Sequence, residues 1–285
     1  IYLLFTACSK DSAEPDTTPS ESMYFPPLTG TTWETKSIAE LKWNQNAVQP
    51  LLDYLELKNS KSFIILVNGR IVLENYFNKH TATTNWYWAS AGKTLTSTMT
   101  GIAQQEGLIN INNKVSDYIG TGWTSETLAQ ENQITCKNLL CMTSGLDDST
   151  DDVDPEDLIC KADAGSRWAY HNVYVKLQDV VATATNQTWD NYFNNKLRNP
   201  IGMTGAGVTD PTALSVYWSN SRSMARFGLL ALANGNWNGT QIINSNYMNA
   251  ATATSQPINL AYGYLWWLNG KSSFRLPQSQ LQFNG

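Results

Sequence analysis

The sequence predicts an α+β domain, and three observations carry that prediction. Two strands come early: Phe63 to Val67 is a continuous apolar run, Asn68-Gly69 is a type I′ turn dipeptide, and Ile71 to Phe77 returns. Through the middle of the chain, apolar residues recur at spacings of three and four, the period of amphipathic helices. Near the end, Leu260 to Leu268 (LAYGYLWWL) reads as an apolar, aromatic strand. Two strands, many helices and a strand, with no internal repeat, is the order of an α+β domain, or of a mixed α/β domain with a helical insertion.

Composition narrows the function classes. The 285 residues are 42% hydrophobic and only 15% charged, with 11 Trp and 13 Tyr, which is a globular, aromatic-rich chain. A net charge of −5 argues against a nucleic-acid groove. No apolar run is long enough to span a bilayer. Nothing in the pattern speaks to oligomeric state.

The N-terminus reads as an export and anchoring signal. Ile1 to Ala7 has the character of the tail of a signal peptide. Phe5-Thr6-Ala7-Cys8 resembles the bacterial lipoprotein cleavage box, which makes Cys8 the expected lipidation site. Ser9 to Glu21 is polar and proline-containing, as a tether would be. The expected organisation is a signal-peptide remnant over 1–7, a lipidated tether over 8–32 and a single domain over 33–285. Two acyl chains on such a cysteine suffice for stable anchoring. The expected location is the bacterial cell envelope, on the periplasmic or outer-surface side of the outer membrane. With Cys8 lipidated, Cys136, Cys141 and Cys160 remain, so one bridge at most can form. Cys141–Cys160 is the preferred pair, because Cys136 and Cys141 fall on one short helix; three buried free thiols are the alternative.

In chain order, residues 22–46, with Tyr24, Phe25, Pro26, Pro27 and Trp33, are expected to wrap the domain surface. Ala47 to Leu57 is predicted to be a helix by Val48, Leu51, Leu52 and Leu55. The wholly apolar Phe63–Val67 strand implies a sheet covered on both faces. Trp86 and Trp88 belong either to the core or to the wall of a cleft. Thr94 to Glu106 is the next helix, with Leu95, Met99, Ile102 and Ala103 on one stripe and Gly107 as its stop. Thr135 is a candidate N-cap for a short helix beginning near Cys136. Asp147 to Asp157 (DDSTDDVDPED) lacks the glycine and glutamate of a calcium loop and reads as a solvated loop. Val173–Thr185, Thr188–Leu197 and Ser219–Asn234 are the remaining helices.

Chemistry concentrates at Trp88-Ala89-Ser90-Ala91-Gly92-Lys93, the sole Ser-x-x-Lys in the chain. Ser90 is placed in the first turn of the helix that follows, with Lys93 on the same face. A serine hydroxyl attacks only when a neighbour takes its proton, and a lysine can do so once burial or nearby charge makes it neutral. Free N–H groups at the helix start favour the developing negative charge. A third group must shuttle protons to the leaving group, and a Tyr-x-Asn element would serve. Tyr76, Tyr170, Tyr192 and Tyr247 each have Asn two residues on. Tyr170 is preferred, since it alone sits in a loop ahead of a helix, beside Trp168. No Gly-x-Ser-x-Gly occurs, and His80 and His171 form no ligand pair, which disfavours conventional Ser-His-Asp and metal hydrolysis.

These segments together resemble the serine β-lactamase and D-Ala-D-Ala carboxypeptidase (penicillin-binding) superfamily, in its class C-like esterase branch. Ser90-Ala91-Gly92-Lys93 matches its first motif and Tyr170-His171-Asn172 its second. Leu139 to Leu146 (LLCMTSGL), Pro200-Ile201-Gly202-Met203 and Tyr262 to Trp267 (YGYLWW) match further segments in the same order, with Met142 where histidine is common. The resemblance implies a β-lactamase/transpeptidase-like fold, an antiparallel sheet flanked by helices plus a mainly helical region. It implies catalysis by Ser90, Lys93 and Tyr170, with Asn172 holding an ester, amide or β-lactam substrate and with no metal or organic cofactor. The family's third motif, Lys-Thr-Gly or a His-x-Gly variant, is not visible after Trp267. The expectation is therefore that the C-terminal strands are missing from this chain, that a sheet edge is bare, and that residues 1–285 alone hydrolyse little or nothing. The competing reading is a non-catalytic envelope lipoprotein that binds a peptide or glycan in an inherited cleft.

Overall fold

The computed structural model describes residues 21–209 and 215–285. Cys8 and the expected tether up to Ser20 lie outside the described residues. From Ser22 the chain is already laid on the domain. The Tyr24 N–H donates to Asn68 O at 2.9 Å, and Arg226 donates to Pro27 O at 2.6 Å. This is the surface wrap that Tyr24, Phe25 and the two prolines predict, and it brings the packed domain back ahead of the expected boundary at Trp33.

The first helix, α1 (Val48–Leu57), leads into the hairpin β1 (Ser62–Val67) and β2 (Arg70–Tyr76). Their register runs from Ser62 opposite Tyr76 to Val67 opposite Arg70. Asn68 and Gly69 have φ of 47° and 82°, the left-handed pair that a type I′ turn demands. A Cβ at Gly69 would overlap the Tyr24 carbonyl, so the glycine also lets the N-terminal wrap dock. The expected two-sided cover is absent: every residue of β1 is only half-buried.

Next come β3 (Trp86–Tyr87), a 3₁₀ turn over Ala89–Gly92, and α2 (Lys93–Gln105). Helix α2 is the axis of the molecule, buried from Leu95 to Ala103. It is not uniformly apolar. Thr98 and Thr100 return their hydroxyls to the carbonyls of Thr94 and Thr96, both at 2.9 Å, which is how a threonine-rich helix enters a core. Around it lie α3 (Ser116–Ile119), α4 (Leu128–Glu131), α5 (Cys136–Cys141), α6 (Lys176–Thr185) and α7 (Trp189–Phe193), which runs on into a π-helical turn over Asn194–Arg198. Thr135 caps α5 in a reciprocal box with Asn138.

A small antiparallel sheet follows, β3 beside β5 (Ser215–Ser219) beside β4 (Ala206–Thr209). The sequence does not announce it, and it takes Ser219 out of the predicted helix. Helix α8 (Ser221–Leu232) starts instead at Asn220, whose side chain accepts the Ser223 N–H. The chain closes with the hairpin β6 (Asn236–Trp237) and β7 (Thr240–Gln241), then α9 (Ser245–Ala251), then the pair β8 (Ser273–Phe274) and β9 (Phe283–Asn284).

Two further expectations need correction. Leu260–Leu268 is not a strand: Leu265 has φ of 62°, which folds the segment back so that only Tyr262 and Trp267 bridge. Cys141 and Cys160 are not joined, and Cys136, Cys141 and Cys160 are all free. Cys141 faces Ser255 in the core, whereas Cys160 faces Glu126, so the two thiols point to different partners. Burial pushes the Cys136 thiol up to about 12, and the other two up to about 11.

Candidate active site

Trp88 anchors the turn that carries Ser90. Its N–H donates to Tyr217 O at 2.9 Å, its indole Nε1 donates to Ser219 Oγ at 2.7 Å, and its ring lies edge-on to Tyr217 and Phe227. It is a core residue, while Trp86 is exposed with the Lys61 ammonium over its ring. With Trp88 held, Ala89 adopts φ of 46°, a conformation that alanine takes only when its surroundings impose it. The chain then turns sharply, and Ser90 stands exposed on the 3₁₀ turn instead of inside α2. Among the described residues no backbone carbonyl accepts the Ser90 N–H, which leaves that donor available at the start of a helix.

Lys93 is the first residue of α2 and is only 4% exposed. Its Nζ donates to Asn172 Oδ1 at 3.2 Å and lies 4.0 Å from the Tyr174 ring centre and 5.0 Å from that of Tyr170. Among the described residues no carboxylate pairs with it. Burial lowers its pKa to about 8, and the field of Asp151 opposes that shift.

Tyr170 sits in an aromatic cluster, with its ring centre 6.2 Å from Trp168, 6.1 Å from Tyr262 and 5.6 Å from Trp267. Burial raises the pKa of its phenol, while the Ser90 hydroxyl and the Trp267 indole, both facing it, act the other way. Asn172 opens the 3₁₀ turn Asn172–Val175 that leads into α6. Besides accepting from Lys93, it donates through Nδ2 to Asp151 O at 3.2 Å. His171, between them, caps the same turn by accepting the Val173 N–H on Nδ1 at 3.2 Å. Burial holds its pKa below the ordinary histidine value.

The four residues singled out in the sequence, Ser90, Lys93, Tyr170 and Asn172, are thus brought together from two distant segments. The other Tyr-x-Asn tyrosines are committed elsewhere. The Tyr76 hydroxyl donates to Glu74, that of Tyr192 to Glu106, and that of Tyr247 to Ser97 O. Sequence reasoning missed Tyr174 and Trp267. Tyr174 has a usable signal, a second aromatic residue four positions beyond Tyr170. Trp267 has none, because the apolar pattern of the segment that carries it is that of a strand.

The acidic stretch frames one side of this group. Lys161 pairs with Asp147 at 3.2 Å and Arg167 with the buried Asp148 at 2.5 Å, so the loop is pinned at its start instead of being wholly solvated.

Residues 59–277 match the family model described as Beta-lactamase, a span that covers well over half of the chain and all four site residues. The chain belongs to the beta-lactamase family. An uncharacterized protein of Alkalihalophilus pseudofirmus is 24% identical over 269 residues, which cover 79% of this chain and 77% of that protein. A Bacillus subtilis protein provisionally named penicillin-binding protein PbpX is 29% identical over 179 residues, 56% of this chain and 44% of its own length. A solved Bacillus anthracis structure, provisionally named a 6-aminohexanoate-dimer hydrolase, superposes with a TM-score of 0.69 at 18% identity, covering 93% of this chain and 81% of that one. The beta-lactamase-family chain therefore has the β-lactamase/transpeptidase-like α+β fold and is a domain of serine-hydrolase type.

Proposed function

We propose that this chain is a serine hydrolase that cleaves ester or amide bonds, β-lactams included, through an acyl-enzyme on Ser90. The observation that carries the reading is the state of Lys93: a buried lysine, one turn from an exposed serine, held by Asn172 and unpaired with any described carboxylate. With its pKa near 8, a useful fraction of Lys93 is neutral at slightly alkaline pH.

The steps follow from that state. Ser90 Oγ attacks the substrate carbonyl carbon and its proton passes to Lys93 Nζ. The carbonyl oxygen takes up negative charge near the Ser90 N–H, at the positive end of α2; a donor so placed is worth about 10²–10³ in rate. Tyr170 relays a proton to the leaving group, while Asn172 orients the substrate carbonyl side. Water then attacks the acyl carbon, and the same groups return the proton to Ser90 Oγ.

The test is covalent labelling of the full-length protein by a fluorophosphonate, together with hydrolysis of short-chain aryl esters and a chromogenic cephalosporin. Labelling and turnover should both disappear in Ser90→Ala. Undiminished turnover in that variant would overturn the reading. A protein that binds a peptide or glycan with unchanged affinity, and never takes the label, would be a binding protein.

A further inference from the structure

The Lys93 ammonium lies against a ring for which the proposed reaction has no use. The Tyr174 ring centre is 4.0 Å from Nζ, nearer than that of Tyr170 at 5.0 Å. Tyr174 is buried on the turn Asn172–Val175, and Tyr170 stands just ahead of that turn, so one short stretch of chain brings both rings and the Asn172 amide to one ammonium. Burial keeps the Tyr174 phenol neutral by pushing its pKa upward.

We propose that Tyr174 is a positioning residue for proton transfer at Ser90. Its ring face holds the Lys93 side chain beside Asn172 and receives the ammonium that forms when Lys93 takes the Ser90 proton. The inference rests on the acyl-enzyme reading above. During attack the Ser90 O–H bond breaks, an N–H bond forms at Lys93, and the oxygen electron pair goes to the substrate carbonyl carbon. Positive charge therefore appears on Nζ in a site with little water to solvate it. The negative face of an aromatic ring is a substitute that needs no reorganisation, and it counts for most where the cation is desolvated. Asn172 Oδ1 is the one hydrogen-bond acceptor that Lys93 Nζ has among the described residues, and the Tyr174 ring face lies nearer to Nζ than that of Tyr170.

Ser90 lies on the turn just ahead of Lys93 with its hydroxyl facing Tyr170, and the other groups that face Lys93 are Tyr170 and neutral His171 on the second segment and Asp151 on the acidic loop. A test must leave these unchanged and weaken only the ring face. Phenylalanine at position 174, followed by its difluoro and trifluoro analogues, does this at nearly constant shape. The readout is the rate of Ser90 labelling by a fluorophosphonate against pH, in the full-length protein.

Tyr174→Phe should keep the wild-type profile, because the ring face remains. Fluorination should move the rising limb stepwise to lower pH, by about half to one unit in the trifluoro protein, and should slow labelling above the limb by up to about tenfold. Tyr174→Leu should show the same trend. A limb that stays in place through the fluorinated series, in proteins whose melting temperature matches Tyr174→Phe, would overturn the inference. If labelling persists in Ser90→Ala, the acyl-enzyme reading itself fails. If labelling needs Ser90 yet ignores fluorination, only the role of Tyr174 falls.

Discussion

Lys93 is ionised at neutral pH in a place where an ammonium is poorly accommodated. In the unfolded chain its pKa has the ordinary value of 10.5, and in the fold it is about 8. Between those two values the unfolded chain holds the proton and the folded one has released it, so stability rises with pH across that window. Below about pH 8 the full penalty is present, on the order of 3 kcal/mol, and above 10.5 it is gone. Lys93→Met should therefore unfold at higher urea concentration than the wild type at pH 7, with an advantage of roughly 2 kcal/mol that fades toward pH 10. The same variant should take no fluorophosphonate label. In the wild type, kcat/KM should climb through about pH 8 as Lys93 loses its proton. A urea midpoint for Lys93→Met that is lower at pH 7 than the wild-type one would contradict the burial cost. Ser90 and Lys93 were legible because their spacing alone puts them on one turn, and Tyr170 because the alternative tyrosines sit inside regular elements. The positions of Asp151 and Trp267 were not, since they depend on loops whose course no periodicity describes.

Helix α2 owes its central place to one absent side chain. A Cβ at Gly101 would come 2.5 Å from Tyr247 Cδ1 and 2.8 Å from Ile243 Cδ1. The gap admits the Tyr247 ring, whose hydroxyl donates to Ser97 O at 2.9 Å, and so seats α9 against α2. Alanine is a better helix former than glycine by about 1 kcal/mol, but the overlap falls on a ring packed in the core. Gly101→Ala should therefore lose about 2 kcal/mol net. Gly228 in α8 provides the contrast, since a Cβ there meets nothing within 4 Å. Gly228→Ala should gain about 0.5–1 kcal/mol, and chemical denaturation of the two variants should give shifts of opposite sign. Elements whose signals are local were readable: the Asn68-Gly69 hairpin, the stripe of α2 and the Thr135 cap. The sheet of β3, β5 and β4 was not. Trp86 and Tyr87 make too short a run to show alternation, and Ser219 stands just ahead of a strong helix. At Leu260–Leu268 the apolar pattern was real, but it reflects burial on both sides of a bend whose left-handed residue is a leucine, where composition predicts extended backbone.

Across the whole molecule, negative charge is concentrated beside the candidate site. The net charge is −5, and the loop from Asp147 to Asp157 concentrates carboxylates beside the candidate site. Asp147 and Asp148 are paired with Lys161 and Arg167, while among the described residues Asp151, Asp152, Asp154, Glu156 and Asp157 have no ion-pair partner. Their crowding is felt within the loop, where Asp157 is raised by desolvation and by Asp152, Glu156 and Asp154. It also reaches inward, where Asp151 acts on both Lys93 and His171. On the proposed acyl-enzyme reading, a substrate approaching Ser90 would meet a negative field, offset at the site by buried Lys93. Aryl esters of equal size carrying an ammonium, no charge or a carboxylate on the acyl side should react in that order of kcat/KM, with about tenfold between the extremes at low ionic strength. Raising salt from about 0.02 M to about 0.5 M shortens the screening length to a few ångströms and should compress the series severalfold. Asp151→Asn with Asp152→Asn should do the same without added salt, because Asp151 holds Asn172 through its backbone carbonyl, which the substitution keeps. Equal rates across the three esters, or an order indifferent to salt, would show that the loop's charge does not reach the bond being cleaved.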